Sequence, residues 1–120
     1  MSILIPSADS KSRTKVLRNR RASVRYQCAP ATPGKICVGD CTEYQRVWVI
    51  DLALGGVGLL MSRPLECDTA LIVRLHGLAS QNVYDLPAHV VHANQQSDGD
   101  WLVGCQFTDK LSREQLDDLL

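Results

Sequence analysis

The residues of this 120-residue chain best equipped for chemistry are arginines. Arg20, Arg21 and Arg25 stand close together, with Arg21 and Arg25 four positions apart. On an extended segment that even spacing points both side chains to one side, about 13 Å apart. On a helix the two would be neighbours. A guanidinium can grip phosphate bidentately, stack on a purine face, or donate to guanine O6 and N7. A ligand that combines phosphates with purines uses all three abilities. Downstream, with twenty-five residues between it and Arg25, Asp51 opens the run Asp51-Leu52-Ala53-Leu54-Gly55-Gly56. A carboxylate complements the N1–H and N2–H donors on the other edge of guanine. Gly55 and Gly56 remove side chains where a ligand must come near the backbone. Arginine, aspartate and glycine in this order suit a guanine nucleotide better than a simple phosphate.

The order and separation of these two clusters carry a resemblance. Arg-x-x-x-Arg followed some twenty to thirty residues later by Asp/Asn-x-Ser-x-x-Gly resembles the PilZ domain, a bacterial receptor for cyclic di-GMP. Arg21 and Arg25 match the two arginines, and Asp51 and Gly56 match the ends of the second motif. The resemblance covers about residues 18–120, and Ala88–Ala93 and Trp101–Phe107 look like the family's last two strands. One position departs from the pattern: the family's serine is Ala53 here. The resemblance implies a small six-stranded antiparallel β-barrel with a C-terminal helix, no catalysis and no cofactor. It implies cyclic di-GMP as the ligand, held by Arg20, Arg21, Arg25, Asp51, Ala53, Gly55 and Gly56. It also implies that an N-terminal arm clamps the ligand and so alters contacts to a partner protein. A hydroxyl worth one hydrogen bond contributes about 0.5–1.5 kcal/mol, so its loss at Ala53 weakens binding roughly two- to tenfold. The same departure supports an alternative, a degenerate PilZ-type interaction domain that binds protein and no nucleotide.

Composition narrows the field from the other side. Thirteen basic and thirteen acidic residues give a formal net charge of zero. The total hides an asymmetry: Lys11, Arg13, Lys15, Arg18, Arg20, Arg21 and Arg25 form an acid-free basic stretch. The rest of the chain carries six basic and thirteen acidic residues, a net of −7. A basic arm on an acidic body is a poor general binder of nucleic acid. With one Phe, two Trp and three Tyr, stacking platforms for single strands are scarce as well. No apolar run reaches the length of a membrane span, and Ile3-Leu4-Ile5 before Pro6 is too short for a signal-peptide core. Membrane insertion is therefore not expected, and the expected location is the cytoplasm. Five cysteines do not suggest a disulfide framework in such a reducing setting. Cys37 and Cys41, with Cys28 nearby, lack a second pair to complete a zinc site. His89 and His92, three apart on a strand, are expected to face opposite sides and make a poor metal pair. No metal site and no Ser/His/Asp or Cys/His arrangement is indicated, so the chain does not read as an enzyme. Whether it forms a homodimer is left open.

These residues need a frame. Residues 1–19 read as a flexible basic arm and residues 20–120 as the domain. Strands are expected at Val24–Cys28, Arg46–Leu52, Thr69–Leu75, Val83–Ala93 and Trp101–Phe107, with Leu59–Met61 as a further apolar piece. Pro30, Pro33 and Gly34 are expected to end the first strand, and Gly55, Gly56 and Gly58 to form a turn. Pro87 favours an edge or a bulge. Ser97-Asp98-Gly99-Asp100 reads as a hairpin turn. Ser112 and Gln115 make a capping box for a helix over about 112–120, and Leu111 and Leu116 make a hydrophobic staple. The fold class is all-β with one helix: an antiparallel barrel closed by its C-terminus.

Overall fold

The computed structural model describes residues 24–39 and 42–120, together with Ser10, Lys11, Arg13 and Thr14. From residue 24 onward the described residues form six strands and one helix: β1 (Tyr26–Val38), β2 (Gln45–Ala53), β3 (Gly56–Met61), β4 (Ala70–His76), β5 (Val83–Gln95), β6 (Trp101–Phe107) and α1 (Arg113–Leu119). The strands close into a barrel in the order β1-β2-β3-β6-β5-β4, and every neighbouring pair is antiparallel. Closure leaves no strand with an unpaired edge. Upstream, Ser10–Lys11 and Arg13–Thr14 pair with each other in a separate ladder.

Alternation puts one apolar face of every strand inside. Ile36, Val47, Val49, Leu52, Val57, Leu59, Val73, Val90 and Val103 are essentially without solvent contact. On β4, Leu71, Val73 and Leu75 point inward and Arg74 between them does not, as the sequence suggests. Trp101, Val103, Cys105 and Phe107 of β6 likewise belong to the core side. Burial pushes the Cys105 thiol up to about 12, so it stays protonated and inert.

The strands run longer and less evenly than the sequence suggests. Pro30, Pro33 and Gly34 do not end β1, which continues for 13 residues. Instead its pairing with β2 jumps from Gln27↔Asp51 to Thr32↔Val49, so the extra residues bulge out. The Thr32 hydroxyl donates to the Ala29 carbonyl at 2.6 Å and closes that bulge. A bulge is where a sheet tolerates a proline without losing a ladder hydrogen bond. The turn between β2 and β3 is Leu54-Gly55 alone, and Gly56 and Gly58 lie within β3. Pro87 is on no edge, but the ladder to β6 starts one residue beyond it, at Ala88↔Phe107. The 97–100 hairpin turn joins β5 to β6 as expected.

Helix α1 plugs one end of the barrel. Ser112 caps it through the Gln115 amide at 3.0 Å, and Gln115 returns the bond to the Ser112 amide at 2.9 Å. Leu111, Leu116 and Leu119 are buried against the core. A second tether is polar. Asp118 accepts from the amides of Ala79 and Ser80, the Ser80 hydroxyl and the Tyr84 hydroxyl. Those donors hold its carboxyl below the ordinary range, the Ser80 hydroxyl most of all.

Two predictions follow from this closure. Leu116 is fully buried, so Leu116→Ala should cost about 2–5 kcal/mol in denaturant unfolding. The Asp118 tether is complete above the carboxyl value of the unfolded chain and is lost as pH falls through the depressed folded value. The melting temperature should therefore drop on acidification below about pH 4, and Asp118→Asn should lower it at neutral pH and flatten that drop.

Candidate functional site

The site is assembled on the outside of the barrel by two bulges and two glycines. On β2, Val47 and Val49 point into the core, so strict alternation would send Asp51 inward too. The pairing to β3 instead jumps from Val49↔Leu59 to Asp51↔Gly58, with Ile50 as the extra residue. That one-residue slip turns Asp51 outward and Leu52 inward. On β5 the same device recurs. Ala88 and Val90 are buried, and the ladder then jumps from Val90↔Cys105 to His92↔Gly104. Val91 is the extra residue, and His92 turns outward. His89 and His92 thus both lie on the outer surface, contrary to the plain alternation expected from their spacing.

Asp51 and His92 flank a row across four strands: Asp51 on β2, Gly58 on β3, Gly104 on β6 and His92 on β5. The middle of the row carries no side chains. A β-carbon on Gly58 would stand 2.6 Å from an Asp51 carboxylate oxygen, and one on Gly104 would strike the His92 ring. The two flanking side chains thus lean over a glycine floor. An open depression of about 340 Å³ lies beside it, lined by Arg25, Val91, His92, Gly104, Cys105 and Gln106.

Arg25 reaches this row from just before β1. Its Nη2 donates to Asp51 Oδ1 at 2.8 Å, and the pair is partly open to solvent. A pair this exposed contributes at most about 1 kcal/mol to stability. Its more useful effect is to hold the guanidinium over the barrel wall. The Cys28 thiol nearby is raised from its ordinary value, by burial first and by the Asp51 charge second.

The structure thus brings Arg25 and Asp51 together across 26 positions of sequence. Ala53, 1% exposed, pairs with Gly56 at the end of the same hairpin. The bare α-carbon of Gly56 accommodates the Cys105 carbonyl of β6. The Gly55 carbonyl accepts from the Phe107 amide at 2.8 Å. Both glycines therefore tie the β2–β3 hairpin to β6. Arg20 and Arg21 lie outside the described residues, as does most of the arm. Sequence reasoning missed Gly58, Gly104 and His92. The signal was present: two glycines inside strands, and apolar phase breaks of three at Val49–Leu52 and Val90–Ala93.

Among the described residues no three His, Cys, Asp or Glu side chains are grouped to hold a metal ion. Cys41 is outside them, and Cys28, Cys67 and Cys105 are free thiols. No helix among them is long and apolar enough to cross a membrane.

Comparison with known proteins gives one family. The model of the PilZ domain matches residues 19–120. No curated protein matches the chain. Solved structures share the fold, among them these three. The PilZ domain of YcgR from Escherichia coli with c-di-GMP superposes at a TM-score of 0.59, with 18% identity over 84% of this chain and 86% of that one. The inhibitor of motility MotI (DgrA) of Bacillus subtilis gives 0.60, with 16% identity over 85% of this chain and 49% of its own. The MrkH–c-di-GMP complex of K. pneumonia gives 0.60, with 18% identity over 85% and 50%. The chain therefore spans about half the length of MotI and MrkH and most of the YcgR domain. At these identities the likeness is one of fold.

The glycine floor makes a direct prediction. Gly104→Ala should force the exposed His92 ring off β6, at a cost of about 0.5–1.5 kcal/mol for the forced rotamer. An NMR structure of the variant showing the ring undisturbed would contradict the packing described.

Proposed function

This chain belongs to the PilZ domain family, and from that premise we propose that its glycine-floored face binds cyclic di-GMP. PilZ domains are cyclic di-GMP receptors rather than enzymes. The observation that carries the proposal for this chain is the Arg25–Asp51 pair standing beside the open depression. Arg25 and Asp51, one residue from each of two stretches far apart in sequence, form that pair.

The chemistry of the site suits the ligand. A carboxylate offers about four acceptor positions on two oxygens. Asp51 spends one on Arg25, which leaves room for the N1–H and N2–H donors of a guanine. The remaining donors of Arg25 face a phosphate or the Hoogsteen edge of a base. The Asp51 carboxylate and the His92 ring, which lean over Gly58 and Gly104, form the wall against which a flat purine is proposed to lie. Arg20 and Arg21 are proposed to close over the phosphates from the arm, and Arg20 to grip a second, stacked ligand molecule. Ordering of the arm by the ligand is the proposed signal, read by a partner protein. The proposed setting is the cytoplasm.

Ala53 favours a second reading. It is buried where the family places a serine, and a site without that hydroxyl is a weaker one. The interaction domain without nucleotide binding therefore stands as the alternative.

Titration calorimetry of the full chain with cyclic di-GMP separates them. Binding heat at tens of micromolar protein is expected, and its absence leaves the alternative. A charge-assisted contact is worth about 1.5–3 kcal/mol, so Arg25→Ala should weaken binding roughly 10- to 150-fold. Ala53→Ser should tighten it roughly two- to tenfold.

A further inference from the structure

The opposite wall of the barrel carries a second constellation. Arg46 on β2, Lys35 on β1 and Arg74 on β4 are direct cross-strand partners in one row, which ends at Asp85 on β5. Only six cations lie outside the basic stretch, and three of them stand here side by side. Like charges directly opposite one another destabilise a sheet. Arg74 is held in place: it bonds both oxygens of Asp85, at 2.7 and 3.0 Å, and its guanidinium lies 4.1 Å from the centre of the Tyr44 ring. Lys35 and Arg46 are exposed and have no ion-pair partner among the described residues.

An apolar surface adjoins these cations. Trp48 lies two residues beyond Arg46 on the same strand face, pairs with Pro33, and is 39% exposed. Together Pro33, Lys35, Arg46, Trp48 and His76 line an open depression of about 410 Å³. An exposed indole beside arginines is the composition of interface hot spots. Local violations of the rules of folding are expected where a surface serves binding.

We propose that this face docks an acidic protein segment: its carboxylates meet Lys35 and Arg46, and an apolar side chain among them seats on Trp48 and Pro33. Charge selects the partner. Three cations on adjacent strands span only about 10 Å, well short of the six to ten phosphate contacts typical of a duplex binder. The acidic body around them repels a long polyanion but spares a short segment. The face uses β1, β2 and β4, whereas the cyclic di-GMP face uses β2, β3, β6 and β5. One protein can therefore hold both ligands, and this inference goes beyond the nucleotide reading without depending on it.

The test uses the full chain and a fluorescein-labelled peptide of four Glu-Glu-Leu repeats. Anisotropy should report binding at micromolar to sub-millimolar peptide, with quenching of the Trp48 emission. Lys35→Glu with Arg46→Glu should weaken it at least tenfold while the calorimetric response to cyclic di-GMP is unchanged. Trp48→Ala should weaken peptide binding and abolish the quench. No binding at 1 mM peptide (about ten times a weak dissociation constant) would overturn the proposal. Binding indifferent to the charge reversal would also overturn it, because the basic arm would then be the receptor. Tighter binding of a 12-base-pair DNA duplex at equal salt would overturn it in favour of nucleic acid.

Discussion

In a closed barrel, alternation decides which side chains meet solvent, and only an extra residue can reset it. Ile50 and Val91 are those extra residues. Were Ile50 paired in a regular ladder, Asp51 would follow Val49 into the core and Leu52 would face solvent, and an unpaired buried carboxylate would change its protonation state or unfold the strand. Were Val91 paired in the same way, the His92 ring would follow Val90 into the interior. With both bulges, two polar side chains stand outside on strands that are otherwise continuous with the core. Arg25 then has a carboxylate to meet, and Arg25 and His92 both line the depression beside the row. The candidate site is thus a consequence of register more than of local sequence.

That dependence explains what could be read from the chain and what could not. The arginine and aspartate motifs announce themselves by residue type and spacing, and so do the cap at Ser112 and the inward stripe of β4. The two bulges do not, because a hydrophobic pattern that slips by one still looks like a strand on either side of the slip. The slip is visible only as an apolar spacing of three, Val49 to Leu52 and Val90 to Ala93. A short strand ending at Cys28 was a fair reading of Pro30, Pro33 and Gly34, since each is a poor strand residue alone. The barrel overrides that preference by bulging at 28–31 and resuming the ladder at Thr32. For His92 that spacing is the one sequence signal, because its outward direction depends on Val91 and its support on a glycine twelve residues away on another strand.

Charge gains its meaning in the same way. The formal total of zero sums a basic stretch and an acidic body. On the barrel, Arg25 at the end of that stretch and three of the six cations of the body fall on separate walls. Arg25 sits on the wall shared by β2, β3, β6 and β5, and Lys35, Arg46 and Arg74 sit on the wall formed by β1, β2 and β4. Both placements follow from the barrel order, which puts β1 next to β4 at the seam where chain-distant strands meet. Neither grouping can be seen along the sequence, where Lys35 and Arg74 are 39 residues apart.

The site also carries a cost that the closure offsets. Glycine inside a strand is less favourable than alanine by roughly 0.5–1 kcal/mol, and β3 and β6 each place one in their interior. Alanine at either place would displace the Asp51 carboxylate or the His92 ring, which occupy the space its methyl group would need. Each bulge forgoes ladder pairing as well. A free two- or three-stranded sheet would be marginal with such losses. Here every strand has two neighbours, and α1 seals the open end with Leu116 and Leu119. The apolar closure on one side of the wall is what permits a bare, polar-flanked floor on the other.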